Sequence, residues 1–138
     1  MSAIYQLKVI TPEKLLLDQE ATFLIAPGAE GCFGVFAGHA PLVSLLKAGE
    51  LSVGWGDNPE RYAVSAGYAE VLADRVTILV EQAVAQSDID PSVCHGDIAE
   101  AEKELASLSP VSFERAYWEK RRDFAAACVE VQRKKLVR

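Results

Sequence analysis

Histidine and cysteine are scarce in this chain, two and three among 138 residues. No Cys-x-x-Cys or His-x-x-x-His pair exists, so no metal is expected, and no other cofactor is assigned. The three cysteines, Cys32, Cys94 and Cys128, are odd in number and irregular in spacing. That argues against a disulfide framework and fits reduced thiols in a reducing compartment. Long hydrophobic runs are missing too: no apolar stretch approaches the ~20 residues needed to span a bilayer. The amino terminus lacks the basic start and apolar run of a signal peptide. The expected setting is therefore cytoplasmic, with any membrane association going through a partner. A nucleophile elbow is absent, since Ser65 lies in Val-Ser-Ala-Gly. Those small residues read as a strand-to-turn transition, and no catalytic residue is assigned. Basic charge is short as well: the net charge of -6 argues against a nucleic-acid partner.

That charge is unevenly spread. Residues 1–90 hold 5 basic and 12 acidic side chains, residues 91–110 hold 1 and 4, and residues 111–138 hold 8 and 4.

Up to about Ala83 the sequence reads as short strands. Tyr5-Gln6-Leu7-Lys8-Val9 and Leu51-Ser52-Val53-Gly54-Trp55 alternate cleanly, and Val76, Ile78 and Val80 share a face opposite Thr77 and Leu79. Gly56-Asp57-Asn58-Pro59 predicts a hairpin turn before a strand over Arg61 to Ser65, and Ala73-Asp74 a weaker turn. Many short strands at regular spacing imply an antiparallel sandwich or barrel.

At Asp90 the pattern changes. Asp90-Pro91 supplies an N-cap and a proline at the first helical position, with acids over the following turns. Cys94, Ile98, Ala101, Leu105 and Leu108 then form one apolar stripe. Gly96 predicts a first turn that frays or starts late. Ser107 to Pro110 break the helix, and a second is expected from near Ser112, with Phe113, Tyr117, Phe124, Cys128 and Val131 on one side. The break is short enough for an antiparallel hairpin, held by only a few kcal/mol at ~25 cal/mol per Å². The expected division is a sandwich over 1–86 and a helical hairpin over 87–138. Lys120-Arg121-Arg122 and the tail Arg133, Lys134, Lys135 and Arg138 read as a solvated face, an RNA-binding patch or a membrane-surface helix. Composition alone favours the solvated face, the acidic sandwich opposes nucleic acid or anionic lipid, and an acidic protein groove is the more discriminating partner.

Between Gly28 and Ser44 four glycines, His39 and Pro41 surround a short apolar strand. Glycine supplies backbone shapes other residues resist, and Pro41 pushes Ala40 toward an extended conformation. This is a presented loop. His39 reads either as a turn histidine bonded to a neighbouring carbonyl or as a partner contact, and Glu30 as a solvated charge or an interface residue.

The run Glu30-Gly31-Cys32-Phe33-Gly34 followed by Gly38-His39-Ala40-Pro41-Leu42 resembles the signature of the ε subunit of rotary F-type ATP synthases. Three further segments match that family in order: Val9 to Glu13, Val64 to Val71, and Val76 to Glu81. The resemblance implies a non-catalytic rotor subunit of the central stalk, coupling ion flow through the ring of membrane c subunits to ATP synthesis. Thr11 and the loop Gly38, His39, Ala40 and Pro41 would then face the γ subunit. Glu30, Gly31 and Cys32 would face the c ring, Cys32 departing from a pattern that often has an acid there. The carboxyl-terminal hairpin would be a mobile brake on hydrolysis, with Lys120, Arg121 and Arg122 docking on acidic segments of the catalytic α/β head. The implied location is peripheral, on the cytoplasmic face of the bacterial inner membrane rather than in a plastid stroma. Some family members bind ATP through Ile/Leu-Asp-x-x-Arg-Ala. Here Asp90 is kept but Val93 stands at the arginine position, so a phosphate loses its fork of donors and ATP binding by that route is not expected. The alternative is a free-standing sandwich that binds protein and dimerises through its helices; a small hydrolase is more remote.

Overall fold

A computed structural model describes residues 3–134. Strands β1 (Tyr5–Ile10), β2 (Leu15–Ala21), β3 (Phe23–Ala26), β4 (Phe33–Phe36) and β5 (Leu42–Leu46) come first. They are followed by β6 (Gly49–Val53), β7 (Glu60–Val64), β8 (Gly67–Val71), β9 (Arg75–Val80) and β10 (Ala83–Ala85). Sheet A has the order β2-β1-β9-β8-β5 and sheet B the order β10-β7-β6-β3-β4. Neighbours are antiparallel except β1 and β9. This is the expected sandwich. The alternating residues Tyr5, Leu7 and Val9, with Val76, Ile78 and Val80, point inward against Leu24, Val35, Leu51 and Val64 of sheet B.

The small-residue stretch after β7 has a steric reason. A Cβ on Gly67 would lie 2.0 Å from the Leu79 carbonyl oxygen, so the antiparallel pairing of Gly67 with Val80 leaves no room for a side chain.

Helices α1 (Pro91–Ser107) and α2 (Glu114–Lys134) form the hairpin. Asp90 caps α1 as expected, its Oδ1 accepting from the Ser92 amide at 2.9 Å and the Ser92 hydroxyl at 2.8 Å. These bonds hold the Asp90 carboxyl below its usual range. Two expectations need correction, one on each helix. The helix runs from Pro91 straight through Gly96 without a late start, because tertiary contacts on Cys94 outweigh one glycine's propensity cost. The expected acids, Asp97, Glu100, Glu102 and Glu104, follow in its later turns. The second helix begins at Glu114, near Ser112 as expected, with Ser112 Oγ accepting the Glu114 amide at 3.2 Å. Phe113 is fully exposed and Tyr117 mostly so, so only Phe124, Cys128 and Val131 of the proposed stripe pack inward.

The hairpin lies on the outer face of sheet B. Cys94, Ala127, Cys128 and Val131 gather around the fully buried Ala63, with Val84 and Phe124 packed alongside. Gln86 Nε2 donates to the Val131 carbonyl at 2.8 Å, and Lys134 Nζ reaches Glu50 at 2.7 Å. The clean alternation expected in β6 is broken for this reason. Leu51, Ser52 and Val53 are all buried, because the strand is covered on both sides. Lys135 and Arg138 of the basic tail lie outside the described residues.

Candidate docking surfaces

Sheet A keeps its outer face bare, and that face is apolar. Leu45 pairs with Tyr68, Tyr68 with Leu79, Leu79 with Ile10, and Ile10 with Leu15. In a sheet, directly opposed residues share a face, so these five side chains make one row across all five strands. Leu45 is 59% exposed, Tyr68 54%, Leu15 51% and Leu79 45%. Val43, two residues from Leu45 and on the same face, is 70% exposed. Exposed apolar area of this continuity marks an interaction surface.

The two ends of this face carry the loops that sequence singled out. At one end Gly38 adopts a positive φ of 81° and donates to the Ala73 carbonyl at 2.8 Å. This pins the Gly38–Pro41 loop to the β8–β9 turn. His39 Nδ1 lies 2.6 Å from the Ala40 carbonyl oxygen while the residue stays partly exposed. The turn role and an accessible surface therefore coexist. At the other end the β3–β4 turn presents Glu30, Gly31 and Cys32, all exposed. It is tied back to sheet A by Ala29 donating to the Leu45 carbonyl at 2.9 Å.

Thr11 does not join the His39 loop. It follows Ile10, whose partner Leu79 stands at the Glu30–Cys32 end of sheet A. It is buried, with its hydroxyl donating to the Lys14 carbonyl and accepting the Lys14 amide, both at 3.2 Å. Its role in isolation is to build a turn.

The basic run on α2 is not one free patch. Arg121 Nη2 reaches Asp97 at 3.1 Å and Glu100 at 3.3 Å on α1, and its guanidinium lies over Trp118 and Tyr117 at 5.3 and 6.0 Å. Arg122 pairs with Asp123 at 3.1 Å. Lys120 is exposed. Arg121 thus clasps the hairpin. Sequence reasoning missed this because the pairing partners lie on the other helix, more than 20 residues away.

Between the β5–β6 turn and α2 runs an open groove of about 460 Å³, lined by Lys47, Glu50, Asp123 and Glu130 among others. Three carboxylates and one ammonium make it a poor phosphate site. Val93 is exposed beside the Asp90 cap. Among the described residues no cluster of His, Cys, Asp and Glu could hold a metal, and no helix is long and apolar enough to cross a membrane.

One surface group was unanticipated. Phe23 stacks on Trp55 at 4.2 Å, and Phe36 closes the trio at 4.8 and 5.2 Å. It sits on the part of sheet B that the hairpin leaves open. Phe23 opposes Phe36 in the β3–β4 register, a signal that was legible only once the pairing was known.

A β-sandwich with one apolar face bare, presented loops at both ends and a helical hairpin on the other face is a docking subunit of a larger assembly. Comparison with known proteins gives the family. The ATP synthase delta/epsilon chain β-sandwich domain matches residues 4–86. The ATP synthase epsilon chain of Magnetococcus marinus is 39% identical over 127 residues, 92% of this chain and 93% of that one. Epsilon chain 2 of Syntrophotalea carbinolica is 39% identical over 83% of each chain. Among solved structures, a chain of the Euglena gracilis mitochondrial ATP synthase, in an OSCP/F1/c-ring structure, has a TM-score of 0.75 at 25% identity. That match covers 92% of this chain and 80% of that one. A chain of the Tetrahymena thermophila central stalk and c-ring shares the fold, with a TM-score of 0.60 at 16% identity. The chain belongs to the ATP synthase delta/epsilon chain family, whose members are non-catalytic subunits of that complex.

Proposed function

We propose that this chain is a rotor subunit that fastens the γ subunit to the c ring, and that its hairpin restrains ATP hydrolysis. The observation that carries the reading is the apolar row Leu45, Tyr68, Leu79, Ile10 and Leu15 on the bare face of sheet A. Side chains of this size left in water are stabilised by a partner at ~25 cal/mol per Å² buried. γ is the occupant we assign, with the Gly38–Pro41 loop at the rim and Thr11 supporting the far corner. The Glu30, Gly31 and Cys32 turn points away from the loop end and would meet the c ring. Peripheral attachment at the cytoplasmic face of a bacterial membrane follows from those contacts.

The brake needs one adjustment to the expectation from sequence. Lys120, Arg121 and Arg122 act together on acidic segments of the α/β head only after Arg121 leaves Asp97 and Glu100. Exposed pairs hold by roughly 0.2–1 kcal/mol each, so a competing acidic surface is enough to exchange them. ATP sensing in the acidic groove is not part of this reading.

The test is a Leu45→Asp, Tyr68→Asp double variant in membranes. Its fold should be unchanged, and γ should no longer co-purify with it. Retention of γ by a folded variant would sink the assignment. Self-association of the isolated wild-type chain through its helices would favour the free-standing module instead.

A further inference from the structure

We propose that Cys94 and Cys128 are an oxidative modification site, closing to an intramolecular disulfide that ties α1 to α2 when the chain meets a peroxide. Both cysteines are free and buried, and both belong to the one apolar cluster beneath the hairpin. The contacts of Arg121 with Asp97 and of Arg115 with the Leu105 carbonyl set the helices antiparallel, in a register that carries residue 94 toward residue 128. The two thiols share that cluster closely enough for each to act on the other's titration. Ala101, Ala125 and Ala127 are buried in the helices, and small side chains let helices approach closely enough for a disulfide's short Cβ separation. Cys32 is exposed in the β3–β4 turn at the end of the sandwich, so it offers no third thiol to the pair.

The chemistry balances with a peroxide as oxidant. The Cys94 thiolate attacks one peroxide oxygen, the O–O bond breaks, and a sulfenic acid forms with release of one water once the departing oxygen takes up a proton. Cys128 sulfur then attacks Cys94 sulfur. The S–S bond forms, the S–O bond breaks, and the hydroxyl leaves with the Cys128 proton as a second water. Two electrons pass from the thiols to the peroxide. Cys94 is the entry point because it lies between the exposed Val93 and His95 near the start of α1, whereas Cys128 sits well inside α2. Burial pushes both thiols up, Cys128 to about 12. Asp97 adds to this at both thiols and Asp90 at Cys94, while Ala63 and Val84 from the sheet carry no charge. The pair is therefore slow to react while closed, and it is protected from casual oxidation.

Hydrogen peroxide is the probe, applied to the full native chain, followed by alkylation, proteolysis and mass spectrometry. The expected result is a monomer two hydrogens lighter. Its peptide joining Cys94 to Cys128 should exceed the 32–94 and 32–128 pairs by about tenfold, as proximity dictates, and should vanish in Cys94→Ala and in Cys128→Ala. Either of two results would overturn the proposal: both thiols still alkylatable after treatment, or random pairing among the three. A consequence for turnover rests on the brake reading above. In assembled complex, the disulfide should hold the hairpin closed and raise hydrolysis, reversibly with a reducing thiol and not in Cys128→Ala. A disulfide that forms without changing hydrolysis would count against the brake and leave the modification site standing.

Discussion

Sheet A and sheet B bury one face each against the other, and their outer faces then part company. Sheet B is roofed by α2 over a row of Val84, Ala63 and Glu50, which are paired across β10, β7 and β6. Sheet A leaves Leu45, Tyr68 and Leu79 in the open. The covered face is the less apolar of the two. A roof resting on alanine, valine and a carboxylate gains little from each contact, and so is suited to being lifted. A bare face of leucine and tyrosine is suited to being filled for good.

The largest effect should come from spoiling the roof itself. Val131 is fully buried against the sheet, so Val131→Asp places an unpaired charge there at a cost of roughly 3 kcal/mol or more. Val43→Asp on the bare face should change stability by no more than about 0.5 kcal/mol. Denaturant unfolding followed by circular dichroism decides the matter: similar losses in the two variants would erase the distinction between the faces.

Alkali should separate the same regions next. Cys128 under the roof titrates at about 12 rather than the ordinary 9.0, because burial disfavours its thiolate. The stability it lends is complete below pH 9.0 and is lost as pH climbs toward 12. Tyr5, in the sandwich core with its hydroxyl donating to the Val35 carbonyl at 3.0 Å, rises from 10.0 to about 12 for the same reason. Its window opens later. Helical signal should therefore weaken before tyrosine environment changes in an alkaline titration, and a single coincident transition would show one cooperative unit.

Arg121→Ala should have the smallest effect, about 1 kcal/mol, because its ion pairs and ring contacts are partly solvated. Heat denaturation at low and high salt is the check. A salt-independent loss would mean that packing of the Arg121 stem, rather than charge, holds the clasp.

Much of this architecture was readable from residues. Period-two alternation marked β1, β6 and β9, and the Asp90-Pro91 pair marked the start of α1 within a residue. What escaped was the meeting of elements. Periodicity says that Tyr117 and Cys128 share a side of a helix, but not what lies opposite each: Cys128 packs on the sheet, Tyr117 is left mostly exposed, and Phe113 falls before the helix begins. Ala63 was one residue of the expected strand over Arg61 to Ser65, and it is the floor on which the hairpin stands. The row on sheet A required register, because Leu45 and Leu15 are brought into line only by three intervening strands. The roles of Thr11, the His39 loop and Glu30 to Cys32 still rest on resemblance joined to position.

The parallel seam between β1 and β9 bears on how the chain is made. The first strand to leave the ribosome has β2 as a ready neighbour, but its other edge stays unpaired until residue 80 has emerged. Contacts of such sequence separation fold slowly, and an unpaired edge attracts foreign strands. The nascent chain thus carries an open flank through more than half of its synthesis, and the last long strand is the one that seals it.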